Sequence, residues 1–373
     1  MIQKGTIMAG SSFGNIFRIT TWGESHGKAL GVVIDGVPAG LTLSEADIQP
    51  YMDRRAPGKG SISTPRKEAD EVEILSGIFE GKTTGCPISI MVRNTSQHSS
   101  DYAAIKDIYR PGHADFCFDA KFGFRDYRGG GRSSGRETLC RVAAGAVAAK
   151  ILKELGIEVC SYTRSIGPVS IDPAHFDKTL ITSLPTCMPD KAANDKALEY
   201  LESVRSDGDS AGGVIETVIT GMPAGIGDPV FDKLSADLAK AVMSIGAMKA
   251  IEFGDGISVS ESNGSKNNDA FRMDNGKVLK ATNHSGGLLG GMSDGSDIII
   301  RSYVKPTPSI YKTQETVNKN NENVEINIEG RHDPIIVPRA VVVVESMCAI
   351  TIADALMTNM SAKIDSLKTF YKP

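Results

Sequence analysis

The sequence predicts a mixed α and β fold in which strands and helices alternate along the whole chain. Three observations carry that reading. No Pro/Ser/Gly-rich linker divides the 373 residues, an alanine-rich helical stretch lies inside the alternation, and one strand-turn-helix passage occurs twice.

Taken in order, Val32-Val33-Ile34 reads as a strand that runs into the turn Gly36-Val37-Pro38-Ala39-Gly40. The stretch Ser44 to Asp53 follows as a helix capped by Ser44, with Glu45 and Asp47 in the first turn where negative charge suits the dipole. A second helix is expected from about Arg136 to Leu155, where Ala143, Ala144, Ala146, Ala148 and Ala149 supply propensity and Gly156 ends it. So many small residues imply close packing against another element. Asp190 to Val204 reads as a more polar helix, Gly212 to Thr220 as a strand, and Phe231 to Ile245 and Ala340 to Met360 as further helices.

The repeat is Val33-Ile34-Asp35-Gly36-Val37-Pro38-Ala39-Gly40 against Val218-Ile219-Thr220-Gly221-Met222-Pro223-Ala224-Gly225, each followed by a helix-like stretch. A chance likeness of two turns is one reading. A pseudo-symmetric fold of two related halves, starting near residues 18 and 212, is the other. Residues 1–10 are expected to be a short disordered extension, because Met8-Ala9-Gly10 could itself be a start, and 11–373 a single domain.

Composition narrows the function. With 41 Lys+Arg against 45 Asp+Glu the net charge is -4 and neither sign gathers into long runs, so nucleic acid is a poor partner. The greasiest run, Ile335 to Met357, carries Arg339, Glu345 and Asp354 and cannot sit in lipid cheaply. The opening residues lack the pattern of a signal or transit peptide, and a cytoplasmic protein without membrane partners is expected. The six cysteines form no CxxC or CxH pair; buried free thiols are expected, and no metal site. Glycine is abundant, 39 residues, about 10% where roughly 7% is usual, so some part of the chain needs unusual backbone.

Six passages could carry chemistry. Gly23-Glu24-Ser25-His26-Gly27 and Arg110-Pro111-Gly112-His113-Ala114-Asp115 each set a histidine beside glycine in a polar loop. Arg128-Gly129-Gly130-Gly131-Arg132-Ser133-Ser134-Gly135-Arg136-Glu137-Thr138 opens directly into the alanine-rich helix. Glycine backbone, hydroxyls, arginines and a helix N-terminus are the parts of an anion cradle. It has no GK[ST] and is not a Walker A loop, and one short RGG stretch on an acidic chain is a weak RNA signal. Asn283 to Gly295 is a second glycine loop with the wrong spacing for a dinucleotide fingerprint. Lys305-Pro306-Thr307-Pro308-Ser309 and Arg331-His332-Asp333-Pro334 join cations to hydroxyl or carboxylate groups beside proline. Together these groups suit a phosphorylated or carboxylated small molecule and histidine acid-base chemistry.

These six motifs, in this order and from about Gly14 to Ser361, resemble chorismate synthase. The resemblance implies an α+β fold, a β-α-β sandwich with helices between two antiparallel sheets and pseudo-twofold symmetry, assembled as a homotetramer. It implies a 1,4-anti elimination of phosphate from 5-enolpyruvylshikimate 3-phosphate to give chorismate, dependent on reduced FMN. No added domain for reducing flavin is visible, so a separate flavin reductase is expected as electron source.

By the same resemblance His26, with Ser25 beside it, protonates the leaving phosphate, and His113 protonates reduced flavin. Asp333 helps to remove the C6 proton through flavin N5, and Ser134 lies between substrate and flavin. Arg55, Arg110 and Arg136 match the positions that surround the substrate's anionic groups. Arg132, Ser133, Ser134, Gly246, Ala247, Gly290, Lys305, Pro306, Thr307, Pro308, Ser309 and Arg331 match flavin contacts. One departure stands out: many members have arginine where this chain has Ser61, with Lys59 and Arg66 as candidate substitutes.

Overall fold

A computed structural model describes residues 10–56, 70–94, 106–328 and 333–372. Residues 1–9, with most of the expected N-terminal extension, Lys59, Ser61, Arg66 and Arg331 lie outside the described residues.

The first sheet is built from β1 (Ser12–Phe13), β2 (Arg18–Gly23) and β3 (Ala29–Asp35), then, after helix α1 (Glu45–Arg55), β4 (Val72–Ile74). A small hairpin, β5 (Ile78–Phe79) and β6 (Lys82–Thr83), leads to β7 (Ile88–Arg93). The order is β1-β2-β3-β7-β4, antiparallel throughout. Period-two alternation sends Leu30, Val32, Ile34, Ile88, Ile90 and Val92 into the core. Helices α2 (Asp115–Phe122) and α3 (Thr138–Glu154) follow.

The second sheet begins with β8 (Glu158–Ile166) and β9 (Val169–Ser170), passes through α4 (Leu180–Ser183) and α5 (Lys191–Ser206), and continues with β10 (Gly213–Thr220), α6 (Leu234–Met243) and β11 (Met248–Phe253). After α7 (Gly264–Asn267) and the hairpin β12 (Phe271–Asp274) with β13 (Lys277–Lys280), a second small hairpin, β14 (Leu288–Leu289) and β15 (Met292–Ser293), leads to β16 (Ile298–Val304). The hairpin β17 (Gln314–Val317) with β18 (Asn323–Ile326) and the helices α8 (Val337–Asn359) and α9 (Ile364–Tyr371) complete the chain. The sheet order is β9-β8-β10-β16-β11, again antiparallel.

Strands β2, β3, β7 and β4 correspond to β8, β10, β16 and β11, with edge strands β1 and β9 added differently, and the repeated turn is held the same way in each half. Thr83 receives the Gly40 N–H on its carbonyl (2.8 Å) and the Leu41 N–H on its hydroxyl (3.0 Å), while that hydroxyl donates to Pro38 O (2.6 Å). Ser293 repeats all three bonds, to Gly225 (2.7 Å), Ile226 (3.0 Å) and Pro223 (2.6 Å). The likeness of the two turns is therefore structural and belongs to a pseudo-twofold fold.

Helices α3 and α8 run side by side between the sheets. Both are parallel: Arg136 and Arg339 at their starts converge on Arg55, whereas Lys150 near the end of α3 reaches Asp47 at the far end of α1. A Cβ on Gly145 of α3 would lie 2.2 Å from Ser346 Cβ of α8, so only glycine admits this approach. Helix α8 is long and apolar enough to cross a membrane, but here it is the core helix, and its charges are spent inside the protein. Glu345 takes Arg54 at 2.5 Å, and Asp354 accepts the N–H groups of Asn15, Ile16 and Phe17 at 2.7–3.0 Å.

Element boundaries differ modestly from the sequence reading. Helix α6 starts at Leu234 rather than Phe231, because the Leu234 N–H is bonded to Gly291 O (2.8 Å) and Phe231 stays exposed. Helix α8 starts earlier, at Val337, since Pro338 in a first turn gives up no bond. All six cysteines are free, but only Cys140 and Cys348 are buried, their thiols pushed up to about 12 by burial; Cys86 and Cys117 are exposed.

Gly145→Val is expected to destabilise the protein by about 3 kcal/mol or more, through overpacking at the α3–α8 contact. Gly264→Ala, whose Cβ meets nothing within 4 Å, serves as the near-neutral control. Denaturant midpoints of the two variants check this.

Candidate active site

His26 sits on the turn between β2 and β3. The turn closes through a Gly27 N–H to Glu24 O bond (3.0 Å) and is pinned from the end of β7, where the Asn94 amide donates to Glu24 O (3.2 Å) and Gly27 O (2.8 Å). Ser25 is buried and donates to Gly129 O (3.2 Å), so its oxygen accepts from His26 Nδ1 (3.1 Å), which puts a ring proton on Nδ1. Gly129 (φ +66) lies flat on this pair: a Cβ there would come 2.2 Å from His26 Cε1 and 2.9 Å from Ser25 Oγ.

Gly129, Gly130 and Gly131 all have positive φ and lead into the start of α3, with open space over Gly131. Ser134 caps the short turn before α3 by accepting the Arg136 N–H (3.3 Å), and the exposed Ser133 donates to Gly130 O (2.8 Å). The Arg132 guanidinium turns away from the cradle, donating to Gly23 O (3.1 Å) and to Thr21 O (3.1 Å) and Oγ1 (2.6 Å). Its side chain ties the glycine loop to β2.

Beside the cradle is an arginine cluster that shares buried acids. Arg136 Nε donates to Asn94 Oδ1 (2.6 Å) and its Nη1 meets Asp70 at 3.0 Å; Arg55, 2% exposed, has Nη1 3.7 Å from the same carboxylate. From the start of α8, Arg339 donates to Arg55 O (3.1 Å) and to Asp333 (2.6 Å), and Asp333 is itself buried.

The second sheet brings up the other histidine. His113 Nδ1 donates to Pro111 O (2.9 Å), and its Nε2 therefore accepts from Ser309 Oγ (3.1 Å). Lys305 donates to Gly112 O (2.8 Å), Pro308 packs on Gly112, and Lys305 N is bonded to Ala247 O (3.0 Å), where Ala247 has φ +71. Arg110 is held by Asp115 through two parallel bonds of 2.8 Å. Burial, then the Arg110 charge, pulls the His113 pKa from 6.5 to about 4 against the pull of the Pro111 carbonyl and Asp115. Ser210 and Ala211 link this cluster to Asp333, by bonds to Thr307 O (2.7 Å) and Pro334 O (2.9 Å).

Most of the sequence candidates thus gather at the end of the molecule where α3 and α8 begin. Gly290 does not. It lies in the β14–β15 hairpin beside the start of α6, whereas Gly246 follows the end of α6, roughly 15 Å along that helix. Asp70, Asn94 and Arg339 were not legible as site residues: none stands in a motif, and only folding brings them to the arginines.

The glycine backbone, the two helix N-termini, Lys305 and the histidines fit an anionic, flat cofactor such as a flavin phosphate. Residues 129–134 and 305–309 with Gly246 and Ala247 are the ones that would hold it.

Two outcomes follow. Gly129→Ala is expected to lower turnover roughly 10²-fold by displacing His26 while the fold persists, read by steady-state kinetics with circular dichroism. For His113 the unfolded state takes up a proton near pH 6.5 and the folded state only near pH 4, so its contribution to stability is present above 6.5 and is lost as pH falls through that window. His113→Gln is expected to flatten the stability curve between these values by on the order of 3 kcal/mol, measured by denaturation at stepped pH.

The family model described as chorismate synthase matches residues 17–357. The chain is 64% identical to chorismate synthase of Agathobacter rectalis over 98% of this chain and 100% of that protein, and 54% identical to that of Methanosarcina barkeri over 94% and 97%. A solved chorismate synthase structure superposes with a TM-score of 0.76 at 30% identity, covering 96% of this chain and 97% of that one. With most of the motifs gathered at one end of the same fold, the chain belongs to the chorismate synthase family, lyases that cleave a carbon–oxygen bond to phosphate.

Proposed function

We propose that this lyase converts 5-enolpyruvylshikimate 3-phosphate to chorismate by 1,4-anti elimination with reduced FMN as cofactor. The observation that carries the reading is the convergence of His26, the glycine cradle and the Arg55–Asp70–Arg136 cluster where two helices begin. In the reaction the C3–O bond breaks toward phosphate, a proton leaves C6, and the electrons of that C–H bond form the new double-bond system. Reduced FMN, when bound by residues 129–134 and 305–309 with Gly246 and Ala247, would supply transient electron density that eases C–O cleavage, with no net redox change.

The chain's own groups do the rest. Arg55 and Arg136 grip the phosphate and carboxylates, and a guanidinium fork suits both. His26, its Nδ1 proton fixed by Ser25, neutralises the departing phosphate, which makes it a better leaving group. Asp333, ion-paired to Arg339, is the carboxylate that helps to draw off the C6 proton. Arg110 works through charge more than through its fork, two donors of which are committed to Asp115; after burial, the larger cause, that charge keeps His113 neutral until anionic ligands raise the pKa of the imidazole and let it hold a proton at the flavin. We further propose a single domain of two related halves, cytoplasmic and homotetrameric, served by a separate flavin reductase.

The test is an anaerobic assay with the phosphorylated substrate and dithionite-reduced FMN, following chorismate and phosphate together. Equal release of both is expected. His26→Ala and His113→Ala are each expected to slow turnover by roughly 10²- to 10⁴-fold with the fold intact. Flavin binding without product would mark an inactive relative, and aerobic turnover with NADPH and oxidised FMN alone would remove the need for a reductase.

A further inference from the structure

The arginine cluster contains a carboxylate that a site for an anion would not be expected to need. Asp70 has a side chain with no solvent exposure, yet it sits between two guanidinium groups that face the ligand end of the molecule. Its Oδ1 is 3.0 Å from Arg136 Nη1 and its Oδ2 is 3.7 Å from Arg55 Nη1, one oxygen for each arginine.

The backbone is bent to put it there. Asp70 has φ +45, the left-handed region that costs a side-chain-bearing residue energy and that aspartate tolerates better than most. Gln49 of α1 clamps the segment, accepting the Val72 N–H (3.2 Å) with Nε2 of the same amide 3.5 Å from Asp70 O. Helix α1 thus carries both Arg55 and the residue that fixes the backbone around Asp70. Asn94 holds the other side of Arg136 by its Nε (2.6 Å), so the fork is gripped at two points.

We propose that Asp70 is a positioning residue for the elimination, holding Arg55 and Arg136 at a set spacing so that their forks meet the substrate's anionic groups together. This rests on the function proposed above. Two cations of like charge would repel and swing apart in a partly buried site, and the shared carboxylate cancels that repulsion. It also weakens ground-state attraction for anions, so Asp70 acts on alignment rather than on affinity. Loss of the charge frees both guanidinium groups to bind phosphate more strongly in unproductive geometries.

The test uses the full chain in the anaerobic assay. Asp70→Asn keeps the volume and removes the charge; it is expected to lower kcat at least 10-fold with KM unchanged or reduced, and to let inorganic phosphate inhibit at lower concentration than in the wild type. Asp70→Glu, which keeps the charge, is expected to recover part of kcat. A double-mutant cycle with Arg136→Gln is the decisive reading: if Asp70 acts through Arg136, Asp70→Asn adds little to the loss already caused by Arg136→Gln. Full additivity, or a fall in thermal stability with kcat unchanged, would overturn the proposal and leave Asp70 a structural ion-pair partner. If Asp70→Asn does not fold, Asp70→Glu and Gln49→Ala, which keep the charge but shift the carboxylate, carry the same reading, and unchanged kcat in both overturns it. Wild-type protein that makes no chorismate would refute the function itself; wild-type turnover with an indifferent Asp70→Asn refutes only this role.

Discussion

Everything at the ligand end depends on the close parallel packing of α3 and α8. Glycine at 145 lets the helices approach until Ser346 occupies the space a side chain would take. Two parallel helices bring two positive dipole ends to one place, an arrangement that is unfavourable until negative charge is supplied. The β2–β3 turn carries His26 to that end, where Asn94 ties it to Arg136, and Lys305 and Ser309 hold the His113 loop beside the start of α8. The site is a consequence of how the core packs.

Charge at that end is balanced within the protein. Arg110 is matched by Asp115, Arg136 and Arg55 by Asp70, Arg339 by Asp333, and Arg141 by Glu137 at 2.8 Å. Breaking one such buried pair leaves a charge without its partner, which is strongly destabilising, so the acids let the cationic end fold before any ligand arrives. The same pairing decides what each arginine can do. Among the described residues Arg132 and Arg110 spend their forks on the protein, while the helix N-termini, Lys305 and the Asp70 cluster stand at the end where an anion would be met.

Local chemistry made much of this legible beforehand. The Pro-Ala-Gly turns, the Ser44 cap and the alanine-rich helix are written in short stretches, because turns, caps and propensity act over a few residues. The second half of the repeat was hidden. Residues 76–88 and 286–298 form the same hairpin with positive φ at Gly77 and Gly287, Glu80 and Gly290, and Gly81 and Gly291, but Glu80 and Gly290 share a backbone conformation without sharing chemistry. Asp70 was hidden for another reason: a single aspartate has no pattern, and its meaning comes from residues 15 positions before it and 66 after it. Gly290 shows the converse, since a glycine with a strong local motif lies at the opposite end of α6 from the flavin-type cluster.

The two sheets also hold the two histidines by different chemistry. Asn94 and Lys305 follow the equivalent strands β7 and β16 of the two sheets, and each fastens a histidine-bearing loop, although both loops come from the first half of the chain. Asn94 after β7 donates to the carbonyls on both sides of His26, and Lys305 after β16 donates to the Gly112 carbonyl next to His113. One device is neutral and the other is a cation. Lys305 therefore adds, after burial and Arg110, to the forces that keep His113 unprotonated, and it does so at the spot where an anionic ligand would cancel it. The two equivalent positions thus hold one histidine loop with a neutral amide and the other with a cation, whose charge adds to the larger effects of burial and Arg110 on His113.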